Sequence, residues 1–283
     1  MVLSDLFLLN AQRGEPMSSE IVSISNKKIK LAAGLKKRRQ REKTGLFAAE
    51  GIRLCEMAAK SDWQIEFGLY TSEIMASQRG RELLQEIKNK CQLSEVPVDI
   101  YKKVSSTETP QGIMLVLKQK NSLLAELKAV SKPLYVVMDG VQDPGNAGTI
   151  IRTADAIGAD GVIMLKGSVD VFSDKTVRST MGSLFHLPIC TDVTHDELLD
   201  FTQLNKIVLY ATALDAAAEP HFAQNFNAGC AIILGNEGNG VSEYLLAEAK
   251  KTYIPMYGQA ESLNVGVSAA VVLYEAVRQR HFV

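Results

Sequence analysis

Tyr253-Ile-Pro-Met-Tyr-Gly-Gln-Ala-Glu-Ser262-Leu-Asn264-Val-Gly-Val-Ser-Ala-Ala-Val-Val-Leu273 is the stretch from which the fold is read. A short apolar strand stops at Pro255, a polar loop crosses Gly258 to Glu261, and a helix follows whose first two turns carry almost no charge. A helix apolar nearly all round is buried on more than one side. The segment 265–273 is therefore expected between its own sheet and a second neighbour, for which a second copy of the chain is one candidate. Ser262 and Asn264 stand at the loop-to-helix junction, where unpaired backbone N–H groups and capping side chains make a polar pocket. Taken alone, the stretch reads equally well as a capped core helix without chemistry.

Upstream, apolar runs recur at Leu134 to Met138, Val162 to Leu165, Ile207 to Tyr210 and Ala231 to Leu234 without alternating with polar residues. Strands of that kind are covered on both faces, which predicts a parallel sheet with helices on either side. Ligands of such sheets bind in the loops beyond the carboxyl ends of the strands. After the first run comes Asp139-Gly-Val-Gln-Asp143-Pro-Gly145-Asn146-Ala-Gly148-Thr-Ile-Ile-Arg152-Thr-Ala-Asp155-Ala-Ile-Gly158. Here Pro144 and Gly145 make a turn, Asn146 is a good helix cap, and Ile150, Ile151, Ala154 and Ile157 form the apolar stripe of a helix that Gly158 ends. Arg152 falls on the early turns of that helix; pairing with Asp155 or Asp160 is its alternative to a functional role. After the last run comes Gly235-Asn-Glu237-Gly-Asn-Gly240-Val-Ser242, whose glycines let backbone approach a ligand closely. Neither loop contains the dinucleotide fingerprint or the phosphate-loop lysine.

The first half is a smaller α/β pattern. A basic helix is expected from Ile21 to Lys43, a second helix opening at Phe47 to Leu54, strands at Phe67 to Tyr70, Val96 to Ile100 and Ile113 to Leu117, and a helix from Glu82 to Lys90. These divide the chain into a loose extension (1–20), a first domain (21–118), a charged, alanine-rich linker (119–132) and a second domain (133–283). The net charge of −1 conceals a local excess. Lys27, Lys28, Lys30, Lys36, Lys37, Arg38, Arg39, Arg41 and Lys43 are opposed only by Glu42, the footprint of a surface that neutralises phosphates. A solvated helix face is the alternative. Cys55, Cys91, Cys190 and Cys230 show no paired spacing, and the four histidines no ligand motif, so neither disulfides nor a metal site is expected. The apolar patch Leu3 to Leu9 is too short to span a bilayer, and a cytoplasmic protein without a membrane partner is expected.

Taken together, Asp143-Pro-Gly-Asn146-x-Gly148-x-x-x-Arg152-Thr-Ala, Gly235-Asn-Glu237-Gly-x-Gly240, and Ile254-Pro-Met256 followed by Leu263-Asn264-Val265 resemble the three motifs of the SpoU (TrmH-like) family of RNA ribose 2′-O-methyltransferases, in the SPOUT superfamily. More weakly, Phe47-x-x-Glu50-Gly-x-Arg53-Leu and Pro110-Gln-Gly112 resemble the family's ribosomal-protein-like substrate-binding domain. The resemblance implies an α/β catalytic domain with a trefoil-knotted parallel sheet, a homodimer, and S-adenosylmethionine as cofactor. It places Gly235, Ile254 and Leu263 against the cofactor, with Met256 and Thr212 as additional wall residues. Arg152 is its candidate for assisting the ribose hydroxyl, and Asn146, Glu237, Ser262 and Asn264 are the remaining polar positions. Ser173-Asp-Lys175-Thr-Val-Arg178 also looks like the family, with Lys175 and Arg178 toward the RNA or else simple surface charges. Ribosomal RNA is the expected substrate by analogy, with transfer RNA the alternative. A non-catalytic RNA-binding protein with a vestigial cofactor fold stays open; an oxidoreductase is disfavoured by the absent glycine fingerprint and by Lys166 where an acidic residue would end the second strand.

Overall fold

The computed structural model describes residues 19–127 and 130–282. Most of the expected extension, residues 1–18, lies outside them, as do residues 128–129 of the expected linker. The chain divides into two compact units between Gln119 and Lys120.

The first unit holds a five-stranded mixed sheet. Its strands are β1 (Ser19–Glu20), β2 (Leu46–Glu50), β3 (Ile65–Tyr70), β4 (Gln92–Glu95) and β5 (Ile113–Lys118), in the order β1-β4-β3-β5-β2. Three expectations are corrected here. The basic segment is two helices, α1 (Lys27–Gly34) and α2 (Arg38–Thr44), with Asn26 capping the first through Lys28 N. The stretch Phe47 to Glu50 is strand β2, antiparallel to β5, with Phe47 and Ala49 fully buried. The chain turns at Gly51 (φ 103°), and only then does helix α3 (Ile52–Lys60) begin. The alanines and glutamate of β2 favour a helix, but pairing to the buried strand β5 overrides that weak preference. The expected strand from Val96 to Ile100 is instead a connection, Val96 and Pro97, after β4 has ended at Glu95, followed by helix α5 (Val98–Val104); α4 spans Gln78–Lys88. Pro97 between them has no N–H for a ladder and suits a helix start.

The second unit is a seven-stranded sheet, parallel throughout, in the order β10-β12-β9-β11-β6-β7-β8. Its strands are β6 (Leu134–Asp139), β7 (Gly161–Leu165), β8 (Ile189–Val193), β9 (Val208–Thr212), β10 (Glu219–Pro220), β11 (Cys230–Gly235) and β12 (Lys250–Tyr253). β6, β7 and β11 are buried at every residue, which is why their sequences do not alternate. The strand before Pro255 ends at Tyr253 and is not apolar, since it carries Lys250 and Lys251. Helices α6 (Pro144–Ala156), α7 (Asp174–Ser179), α8 (His195–Leu204), α9 (Glu243–Glu248) and α10 (Val265–His281) complete the unit. From β6 the chain builds outward to β7 and β8, then returns to lay β9 and β11 on the other side. β6 and β11 are thus neighbours at the point where strand order reverses, with Asp139 opposite Gly235 in register. A crevice at that point, beyond the strand ends, is where open parallel sheets bind ligands.

Candidate functional site

Three loops leave the same edge of this sheet and are tied together by one chain of side-chain amides and a carboxylate. Asp143 caps α6, its Oδ1 accepting from Asn146 N at 2.8 Å, and Pro144 occupies the first helical position. The cap is therefore Asp143 and not Asn146. Because Asp143 satisfies the backbone, the Asn146 side chain is left to reach the other loops. Its Nδ2 donates to Glu237 Oε1 at 2.9 Å, and its Oδ1 accepts from Asn264 Nδ2 at 2.9 Å. Glu237 also accepts from Gln142 N at 3.2 Å and Asp143 N at 3.1 Å. Asn264 in turn caps α10, its Oδ1 accepting from Gly266 N and Val267 N. Burial pushes the Glu237 carboxyl up, but the hydrogen bonds from Asn146 and from backbone N–H groups outweigh it and hold the group below the usual glutamate range.

The glycine loop is closed on itself. Asn236 and Gly240 exchange backbone hydrogen bonds at 2.9 Å, and the Asn236 side chain accepts from Gly238 N and Asn239 N while donating to Gly140 O. The return leg passes so near β11 that a Cβ on Gly235 would lie 2.1 Å from Gly240 C and 2.2 Å from Val241 N, which leaves room for glycine alone.

The loops after β9, β11 and β12 line a cavity of about 630 Å³, within the ordinary size of a small-molecule site. Gly235, Ile254, Leu263, Met256 and Thr212 all line it, as do Glu237, Ser262 and Asn264. Asn146 stands behind the lining, joined to it through Glu237 and Asn264. The walls also include Leu214 and Val241, which sequence reading missed. Leu214 follows β9 in a loop with no motif, and only the adjacency of β9 to β11 puts it on this edge. Aliphatic side chains, Leu214, Val241, Ile254 and Leu263 among them, face the backbone of the glycine loop across this lining. Among the described residues, no group of three or more histidine, cysteine or acidic side chains is arranged to hold a metal ion.

Arg152 is exposed on the third turn of α6, outside the cavity lining. It pairs with neither of its candidate partners, because Asp155 is taken by His186 Nδ1 at 2.8 Å and Asp160 accepts from Leu134 N. Lys175 Nζ lies 3.7 Å from Asp143 Oδ2, beside the start of α6, and Arg178 is half-buried on the same short helix. Gly266, in the first turn of α10, packs closely against α6, since a Cβ there would come within 3.2 Å of the Thr149 side chain.

In the first unit the basic cluster separates into two kinds of cation. Lys28 Nζ donates to Gln92 Oε1 at 2.7 Å and sits 5.4 Å from the Phe67 ring centre; its burial lowers the ammonium from its ordinary value. Lys36 Nζ donates to Ser105 O and Lys103 O, and the buried Arg41 donates to Leu35 O. These three brace the domain. Lys27, Lys37, Arg38 and Arg39 are exposed, as are Lys30 and Lys43, and Arg38 shares its charge with Glu42.

Comparison with known proteins follows the same division. Residues 133–274 match the SpoU rRNA Methylase family, and residues 26–115 match the MRM3-like substrate binding domain. The chain is 37% identical over 256 residues to the 23S rRNA (guanosine(2553)-2′-O)-methyltransferase RlmP of Bacillus subtilis, covering 90% of this chain and 98% of the relative. It is 32% identical to the 23S rRNA (uridine(2479)-2′-O)-methyltransferase of Streptomyces viridochromogenes, covering 95% and 96%. Among solved structures, the AdoMet-bound rRNA methyltransferase from Sinorhizobium meliloti superimposes with a TM-score of 0.84 at 30% identity, covering 94% of this chain and 99% of that one.

Proposed function

Because this chain belongs to the SpoU rRNA methylase family, we propose that it transfers a methyl group from S-adenosylmethionine to a ribose 2′-hydroxyl of ribosomal RNA. One observation carries the reading: the loops after β9, β11 and β12 meet around one cavity whose wall contains every residue expected to meet the cofactor, and Asn146 ties two of them together from behind through Glu237 and Asn264. The names of both relatives, ribose 2′-O-methyltransferases of 23S rRNA, support ribosomal RNA as the substrate class.

When bound, the cofactor supplies a methyl group on a positively charged sulfur. Ile254, Leu263 and Met256 would hold its apolar parts and the backbone around Gly235 its polar edge, while Thr212 closes the wall from β9. Asn146 and Asn264 keep the loops in register and would so hold the cofactor where a ribose hydroxyl can reach it. A neutral hydroxyl is a poor nucleophile. Arg152 binds the hydroxyl and the neighbouring phosphate and stabilises negative charge as it develops on oxygen. It does not take the proton, since a guanidinium keeps its own at any physiological pH, and the hydroxyl proton passes to solvent water. Ser262 orients substrate at the mouth, and Lys175 and Arg178 contact the RNA backbone.

The exposed cations Lys27, Lys37, Arg38 and Arg39 receive RNA phosphates on the first unit. Val267 and Tyr274, each about half-exposed (49% and 53%), stand with Val271 on one face of α10. A second copy of the chain covers that face in a cytoplasmic homodimer, and the C-terminal segment threads the trefoil knot of the superfamily. Light scattering should give twice the chain mass, reduced to one by Val267→Asp with Tyr274→Asp.

Calorimetry on the full chain should show heat with S-adenosylmethionine, and incubation with ribosomal RNA should place the methyl on a ribose. A wild-type chain that gives no heat sinks the enzyme reading. Methylation of transfer RNA alone would move the substrate class.

A further inference from the structure

The glycine loop is held at both ends, and the second hold uses residues outside the cavity lining. Asp139, the last residue of β6 and only 7% exposed, accepts from Ser242 N through Oδ2 at 2.8 Å and meets His195 Nε2 through Oδ1 at 3.2 Å. Ser242 immediately precedes α9 but makes no capping hydrogen bond with its own side chain; its hydroxyl lies 3.5 Å from the same imidazole nitrogen. His195 begins α8, whose first turn is locked by the reciprocal Thr194 and Glu197 capping bonds. A second tie runs parallel to the first, because Tyr244 donates to Asp196 Oδ1 at 2.6 Å and its ring lies 5.7 Å from that of His195.

Serine, histidine and a buried aspartate together suggest a nucleophile, but the geometry excludes one. Both Ser242 and Asp139 contact Nε2, whereas a relay needs the carboxylate on one ring nitrogen and the hydroxyl on the other. What remains is a brace. Glu237 fixes one end of the segment to the loop after β6, Asp139 with His195 fixes the other at Ser242, and just Gly238 to Val241 span the interval. Gly238, Asn239, Gly240 and Val241 all line the cavity.

We propose that Asp139 and His195 are positioning residues that set the shape of the cofactor-binding wall by anchoring the exit of the glycine loop. The inference rests on the reading of the cavity as the S-adenosylmethionine site. An anchor of this kind governs how tightly the ligand is held, and the chemical step at saturation depends on it little.

The test is calorimetry of S-adenosylmethionine with the full chain, alongside thermal melting and steady-state kinetics on ribosomal RNA. His195→Ala should weaken cofactor affinity about five- to twentyfold and raise the cofactor KM in parallel, with kcat falling less than twofold. His195→Gln, whose amide nitrogen can stand where Nε2 does, should recover most of that loss. Asp139→Asn keeps an acceptor for Ser242 N and serves as the second variant; with its charge gone, it should lie between the wild type and His195→Ala. Affinities within twofold of wild type for both His195→Ala and Asp139→Asn would overturn the positioning role, whatever happens to the melting temperature. So would a His195→Gln variant that binds no better than His195→Ala. Absence of binding by the wild-type chain would instead overturn the reading of the cavity itself.

Discussion

The Glu237 carboxylate accepts from two backbone amides and one side-chain amide of a neighbouring loop, so its charge is part of the architecture of the cavity. Glu237→Gln keeps the shape but removes the charge and offers a single oxygen, which should cost about 1 kcal/mol of stability and weaken S-adenosylmethionine binding. The pH dependence follows in sign. The folded-state pKa is depressed, so the stabilisation is complete above the ordinary glutamate value of about 4.3 and fades as the pH falls through the lower folded value. The melting-temperature gap between wild type and Glu237→Gln should therefore hold at neutral pH and close in strong acid. Arg152 is different in kind, an exposed side chain on α6 that takes no part in the hydrogen bonds tying the three loops. Arg152→Lys keeps the charge but loses the planar fork that grips two oxygens at once. It should lower single-turnover methylation at least a hundredfold while cofactor affinity measured by calorimetry stays unchanged. Near-normal turnover would eliminate the two-oxygen grip.

At the scale of the element, α10 shows how one residue serves the helix and the site together. Asn264 accepts from two orphan N–H groups and donates to Asn146 with its other end. Asn264→Ala should cost about 1 kcal/mol as a lost cap, seen in denaturant unfolding, and a larger proportional loss in cofactor affinity because the third loop comes free of the first. Asn264→Asp keeps the capping oxygen and separates the two effects: stability should recover, affinity should not. The strands that made the fold legible were β6, β7, β9 and β11, central in the sheet and apolar on both faces, together with the loops that follow β6 and β11. β8 and β12 were harder to read because they lie toward the margins of the sheet and carry Thr191 and Asp192, or Lys250 and Lys251, where solvent tolerates them. The cap of α6 was misplaced by three residues for a similar reason. Asp143 and Asn146 are both good caps, and only the second loop, through Glu237, decides which of them is free. Leu214 and the brace at Asp139 were invisible, since each depends on which strands are neighbours and not on local spacing.

At the scale of the whole molecule, a nearly neutral chain gathers its positive charge in one unit and its cavity in the other. A surface that neutralises phosphates releases counterions, so each such contact steepens the fall of affinity with salt. The nine cations between Lys27 and Lys43 do not count equally toward that slope. Lys28, Lys36 and Arg41 already satisfy acceptors of their own domain, and their replacement should show mainly as lost stability. Lys27, Lys37 and Arg39 are exposed, and neutralising all three should reduce the slope of log affinity against log salt by roughly two for single-stranded substrate. Affinity should fall about equally for any RNA sequence, since phosphate contacts position the chain without reading bases. Cofactor heat should be untouched, because the substitutions lie outside the unit that holds the cavity. Lys36→Met supplies the internal control: it should lower the melting temperature and leave the slope nearly as it was. If instead Lys36→Met flattens the salt dependence as much as the triple variant does, the division of this cluster into braces and phosphate ligands is wrong, and the RNA surface runs through α5 and the turn after it.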